Sequence, residues 1–176
     1  AIVRKFEQNS VGIYVYPALI PKDCLLSKVN GDFNAVSLNG DTTGNLFFYG
    51  RGAGMLPTAS AVVSDLVEIS KSPVTSHQSP VLKTKLKIKK IEDLEKSYYI
   101  RFLAIDQPGV LAEIARILGK QKVSIASVVQ KERREKEIVP IVMMTHCAKE
   151  KNVQKALKEI DKLSVVRERL AARIEE

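Results

Sequence analysis

Hydrophobic and polar positions follow three successive patterns along this chain. From residue 1 to about 71 the apolar runs are short and turn-bounded. GIYVYPALI, residues 12–20, is rich in strand formers and is stopped by Pro21. FNAVSLNGDTTGNLFFYG, residues 33–50, predicts two strands around a turn supplied by Asn39-Gly40-Asp41. GRGAGMLP follows, and then PTASAVVSDLVEISK, whose apolar residues recur at helical spacing. Ala59, Val62, Val63, Leu66 and Ile69 share one face of that predicted helix, and Pro57 falls in its first turn, where a missing N–H costs nothing. Residues 72–96 change character. SPVTSHQSP is polar and proline-punctuated, and KTKLKIKK alternates charge with apolar residues. This predicts a linker carrying a short edge strand at Leu86 and Ile88, whose lysines discourage pairing with another molecule.

Residues 97–176 carry the clearest pattern. YYIRFLAI (98–105) reads as a strand, and DQPG (106–109) as a turn. VLAEIARILG (110–119) reads as a helix that buries Val110, Leu111, Ile114, Ala115 and Leu118 and ends at Gly119. VSIASVVQ (123–130) and EIVPIVMMTH (137–146) read as two more strands, with the charged KERREK between them as a hairpin connection. KEKNVQKALKEIDKL (149–163) is a second amphipathic helix, with Val153, Ala156, Leu157, Ile160 and Leu163 inward, and VVRERL (165–170) is a last strand. The order β-α-β-β-α-β is that of a ferredoxin-like fold, four antiparallel strands with two helices on one face. The fold class is therefore α+β: a partial sheet with one helix, then a ferredoxin-like domain.

Charge changes little in this picture. The net charge of +8 raises a nucleic-acid hypothesis, but the excess lies in the linker and C-terminal region, mixed with acids. The β-α-β-β-α-β order also occurs in RNA-recognition domains, which stack bases on aromatics of two central strands. Here the strand 137–146 has no aromatic residue, so Tyr98, Tyr99 and Phe102 cannot build that platform alone. No nucleic-acid partner is expected. No apolar run reaches the roughly 20 residues that span a bilayer, so no membrane partner is expected either. Cys24 and Cys147 lie far apart with no zinc-type ligand spacing, and His146 beside Cys147 points to the opposite face of a strand. No metal site is expected, and two reduced thiols fit a cytoplasmic protein.

The segment DQPGVLAEIARILG…VSIASVVQ resembles the ACT domain, a small amino-acid-sensing module of this topology. Physically, a strand running into a Pro-Gly turn and a helix start leaves free N–H groups able to hold a carboxylate. The resemblance nominates Asp106, Gln107, Pro108, Gly109, Val110 and Leu111, with Ser124 across from them and Ile125 and Gln130 further along the second strand. Asp106 also fits a simple helix cap, and ACT domains that bind nothing and only dimerise provide the other reading. A homodimer or higher homo-oligomer is implied, with L-threonine or another small amino acid as ligand.

The upstream segment resembles the closing part of the homoserine dehydrogenase catalytic domain. The matching motifs are Pro17-Ala18-Leu19-Ile20-Pro21, Asn30-Gly31-Asp32-Phe33-Asn34-Ala35, Tyr49-Gly50-Arg51-Gly52-Ala53-Gly54 and Pro57-Thr58-Ala59. The resemblance implies that residues 1–71 close that domain, 72–96 link, and 97–176 regulate. It implies NAD(P)-dependent interconversion of L-homoserine and L-aspartate 4-semialdehyde in the parent enzyme. Gly54, with Gly52 and Ala53 nearby, is carried over as a cofactor contact. No catalytic residue is expected within this chain, and Lys22 and Asp23 read as exposed turn charges. The family's dinucleotide fingerprint and proton-shuttling residues are not in this sequence. The chain alone is therefore expected to be inactive and to bind no cofactor tightly.

Overall fold

The computed structural model describes residues 1–7, 9–71, 85–130 and 137–175, in two compact units. One unit is Ala1–Leu19 with Thr84–Glu176, the other Ile20–Lys83. The strands expected within residues 1–71 thus divide between the two units.

In the first unit, β1 (Ile2–Phe6) and β2 (Ser10–Tyr14) form an antiparallel pair, and β3 is Ala18–Leu19. The run 12–20 was expected as one strand, but it breaks between Tyr14 and Ala18. Pro17 lies in that break and has no N–H to give a ladder. The short strand expected in the linker is β6 (Lys87–Ile88), parallel to β2. The expected β-α-β-β-α-β order follows as β7 (Glu95–Ile105), α2 (Val110–Lys120), β8 (Ile125–Val129), β9 (Ile138–Thr145), α3 (Glu150–Ile160) and β11 (Val166–Ile174), with β10 (Ala148–Lys149) pairing on β7. The four long strands lie in the order β11-β7-β9-β8, every neighbour antiparallel, as in a ferredoxin-like sheet. β3 adds to the outer edge of β11 in parallel, with Arg173 opposite Ala18.

The core follows from two periodicities. Tyr98, Ile100, Phe102 and Ala104 alternate inward along β7 and are buried. They meet Val110, Ile114, Ile117 and Leu118 of α2, and Val153, Ala156, Leu157 and Ile160 of α3. Two expected inward positions are corrected. Leu111 is 39% exposed and Ala115 is only partly covered, while Ile117 takes the buried place. α2 also does not stop at Gly119. It runs to Lys120, and the left-handed residue beyond it is Lys122 at φ 59°. The Lys122 N–H donates to Gly119 O at 2.9 Å and the Val123 N–H to Leu118 O at 3.0 Å, the paired bonds of a Schellman motif. Val123 is buried, so the turn is set by what must enter the core rather than by the glycine. The hairpin connection expected at 131–136 lies outside the described residues.

In the second unit, β4 (Phe33–Gly40) and β5 (Gly44–Arg51) form the expected hairpin. Its turn is two residues later than Asn39-Gly40-Asp41, because Asn39 and Gly40 still pair in the ladder, opposite Asn45 and Gly44. Asp41-Thr42-Thr43 make a three-residue loop, and Gly44 at φ 67° supplies the left-handed position such loops need. α1 (Met55–Lys71) follows, starting two residues before Pro57. None of its residues is buried, so its apolar face, including Val62, Val63, Leu66 and Ile69, stands open in the described structure.

Candidate functional site

The loop after β7 leads directly into α2. Gly109, at φ 93°, is the N-cap of α2, and its carbonyl accepts from the Glu113 N–H at 2.9 Å. A side chain caps neither this start nor its first N–H groups, so the capping role open to Asp106 is not the one it takes. The Asp106 carboxylate instead accepts from Gln130 Nε2 at 3.2 Å, and the Asp106 N–H donates to Glu137 O at 2.8 Å. Gln107, Pro108 and Gly109 are exposed, Val110 is buried in the core and Leu111 is half-open. The loop therefore exposes the backbone of a helix start, with the half-buried Asp106 carboxylate held by Gln130 beside it.

Ser124 and Ile125 do not face this loop. β8 and β7 both run antiparallel to β9, so they are parallel to one another and their like ends coincide. Gln130, just past the end of β8, therefore reaches Asp106, just past the end of β7. Ile125 pairs with Thr145, whose hydroxyl accepts from the Tyr98 N–H at 3.0 Å. That is seven residues back from Ile105, roughly 23 Å along the strand. The expectation that Ser124 lies across from the loop is corrected for a single copy of the chain.

The glycine loop of the second unit runs from β5 into α1. The Gly52 N–H donates to Asp32 O at 3.0 Å, and Arg51 Nη1 lies 3.4 Å from the Asp32 carboxylate. A Cβ on Gly52 would collide with the Asn34 side-chain amide. Gly54 has φ 119°, which favours glycine, and its carbonyl accepts the Thr58 N–H at 3.1 Å as α1 begins. Gly52, Ala53 and Gly54 are all exposed. Both glycines thus have local reasons, and they leave bare backbone ahead of a 17-residue helix with no acidic residue in its first turn. Lys22 and Asp23 are exposed turn residues.

The pattern did not disclose a buried charge network at the start of β7. Glu150, the first residue of α3, is 4% exposed. Its carboxylate accepts from Arg173 Nε at 2.8 Å and Nη2 at 2.7 Å, from Gln154 at 2.8 Å, and from the Tyr98 hydroxyl. Burial pushes the Glu150 carboxyl up, but the bonds from Arg173, Tyr98 and Gln154 outweigh it and hold it below the usual range. Burial first, and then the Glu150 charge, push the Tyr98 hydroxyl up. Beside it, Glu175 accepts from Lys96 at 2.5 Å, Tyr16 at 2.6 Å and Arg4 at 3.2 Å. Arg173 stands over the Tyr16 ring at 4.3 Å and joins the two clusters. One signal could have shown this. The inward parity of β7 runs back from Phe102 and Ile100 through Tyr98 to Lys96, and a lysine on a buried parity needs a buried partner. Among the described residues no group of His, Cys, Asp and Glu could hold a metal ion, and no helix is long and apolar enough to cross a membrane.

Comparison with known proteins accounts for both segments. Residues 2–67 match the homoserine dehydrogenase family model and residues 98–165 the ACT domain model. The homoserine dehydrogenase of Pseudomonas aeruginosa is 38% identical over 173 residues, spanning 93% of this chain and 40% of that protein. That of Synechocystis is 39% identical over 170 residues, 92% of this chain and 39% of that protein. The crystal structure of the enzyme from Thiobacillus denitrificans superposes with a TM-score of 0.79 at 38% identity, over 99% of this chain and 41% of that one. The chain thus spans about two fifths of the length of the relatives it matches.

Proposed function

Because the chain belongs to the homoserine dehydrogenase family, carrying the end of its catalytic domain followed by an ACT domain, we propose that it is the regulatory end of an enzyme interconverting L-homoserine and L-aspartate 4-semialdehyde with NAD(P). The observation that carries this is that both segments occur in family order and superpose together on one homoserine dehydrogenase structure. Residues 1–71, as the closing part of the catalytic domain, contribute the Gly52-Ala53-Gly54 loop. Its exposed backbone and the start of α1 suit a phosphate-bearing cofactor, which supplies the hydride when bound. Residues 97–176 form the regulatory domain.

The ACT domain senses L-threonine, a small amino acid, in a dimer. The Asp106 carboxylate accepts from the α-amino group, and the backbone at Gly109–Leu111 holds the carboxylate. Ser124 and Ile125 enter from a second copy. Beyond the pairing of β8 with β9, the other edge of β8 carries no strand among the described residues. Two β8 edges paired antiparallel about their midpoint, Ser127, set Ser124 of one copy opposite Gln130 of the other, beside Asp106. One reading of the residues then accounts for the separation seen within a single copy.

Calorimetric titration of the chain with L-threonine tests this, with L-serine and L-homoserine as controls. Saturable, threonine-selective heat that Asp106→Ala abolishes supports the site. A folded dimer giving no heat at millimolar threonine refutes the sensing role and leaves the domain as an assembly element.

A further inference from the structure

At the end of the sheet away from the Asp106 loop, the first unit holds a cleft of about 490 Å³. It lies where the C-terminus of α2 meets β10 and the start of α3. Lys120, Lys122, Lys149 and Lys151 line it, with Glu95 the single acidic residue in the wall and Cys147 beside them. Lys120 pairs with Glu159 at 3.0 Å. Lys122, Lys149 and Lys151 have no ion-pair partner among the described residues. With Lys120 neutralised by Glu159, Lys122, Lys149 and Lys151 still line one small space against the single carboxylate of Glu95, so positive charge is in excess there.

The backbone leaves this excess in place. α3 begins at this cleft with Lys149 as N-cap and no side-chain cap; its first N–H is taken by Leu94 O at 2.7 Å, and the Glu150 carboxylate of its first turn is spent on Arg173. The opposing helix end, that of α2, contributes little negative charge. Its last carbonyls are occupied by the N–H groups of Gln121, Lys122 and Val123. The volume falls within the roughly 300–1,000 Å³ of small-molecule sites.

We propose that this cleft binds a small phosphate-bearing anion carrying more than one negative charge. Compact ammonium groups on flexible stems suit the several oxygens of a di- or polyphosphate, which they can surround from different sides. The site is independent of the Asp106 loop and of L-threonine, because it lies at the other end of β7.

Cys147 is exposed and lines the cleft, so it serves as a reporter. The rate of Cys147 alkylation by a neutral maleimide is read by peptide mass spectrometry, which separates it from Cys24. Pyrophosphate is titrated at constant ionic strength made up with KCl, and citrate is run in parallel. Saturable protection by pyrophosphate is expected, with citrate weaker. In a Lys149→Gln/Lys151→Gln double variant the midpoint is expected to weaken about tenfold or more. A Lys155→Gln/Lys158→Gln variant carries the same charge change on α3 outside the cleft and leaves the midpoint in place. Direct calorimetric titration of pyrophosphate into the same proteins repeats the reading without the thiol, and circular dichroism verifies their folding. Equal protection by KCl, equal shifts in both double variants, or no calorimetric binding each overturn the site. Citrate binding as tightly as pyrophosphate overturns its assignment to phosphate.

Discussion

Replacing Glu150 with Gln tests whether the buried charge network holds the ACT sheet together. The wild-type carboxylate takes two bonds from Arg173, one from Gln154 and one from the Tyr98 hydroxyl. Gln keeps the shape and one acceptor oxygen, but it loses the charge and cannot accept both Arg173 bonds. The guanidinium then remains 16% exposed with no counter-charge of its own. Breaking a buried pair from one side costs about 3–5 kcal/mol, and the oxygen that Gln retains offsets part of that. A loss of about 2–4 kcal/mol at neutral pH is expected.

The pH dependence gives the stricter test. A carboxyl whose pKa falls on folding binds its proton more weakly in the folded chain than in the unfolded one. Its contribution is present in full above the unfolded value, 4.5 here, and is lost as pH drops through the lower folded value. The gap between wild type and variant should therefore close in strong acid. Glu175, also lowered, stays in both proteins, so its own loss in acid appears in both curves. Hydrogen exchange of the β7 and α3 amides reads this sheet alone, and far-UV circular dichroism in urea gives the global transition in a chain with no tryptophan. A difference below about 0.5 kcal/mol at neutral pH refutes the reasoning. So does a difference unchanged in acid.

Leu157 is fully buried, so Leu157→Ala should cost about 2–5 kcal/mol by urea denaturation, whereas Leu111→Ala, at a 39% exposed position, should cost under about 1 kcal/mol. Gly109 has φ 93° and open space where a Cβ would stand, so Gly109→Ala should cost only its backbone strain, about 1–2 kcal/mol in the same assay. Lys122 occupies a left-handed position at φ 59°, so Lys122→Gly should stabilise the domain by up to about 1 kcal/mol while weakening pyrophosphate binding in the cleft.

The elements with strong periodicity were legible in the sequence, because burial on one face leaves a repeat of two or 3.6 residues. β7, α2, β9 and α3 are of this kind, and with β8 and β11 they make the β-α-β-β-α-β order of the ferredoxin-like class. Details that depend on partners were not legible. Gly119 reads as a helix stop, yet the chain continues past it because Val123 has to reach the core, and Lys122 takes the left-handed turn. The strand expected at 12–20 divides at Pro17, and its last piece joins β11, a strand more than 140 residues away that no local pattern names. Within the candidate ligand site, the run DQPG disclosed the turn. The distance of Ser124 from it follows from strand direction: α2 crosses over between β7 and β8, so the two run the same way, and the β-α-β order already placed the start of β8 away from the end of β7.

The charge network explains why β3 can sit where it does. A strand added to a sheet edge needs backbone partners, and Ala18 and Leu19 find them on Arg173 and Ile174, with the Glu175 N–H donating to Leu19 O at 2.9 Å. Two residues of ladder are too few to hold a strand in water alone. The side chains around it supply the rest. Tyr16 donates to Glu175 and lies under Arg173, and Arg4 of β1 reaches Glu175 from the neighbouring hairpin. Lys96 and Arg173 belong to strands of the ACT sheet and Arg4 and Tyr16 to the N-terminal segment; Glu175 takes bonds from both, while Glu150 holds the Arg173 that covers Tyr16. The N-terminal segment and the ACT sheet are therefore bound through shared counter-ions: taking away Glu175 leaves Lys96 buried without a partner and at the same time releases Tyr16 and Arg4.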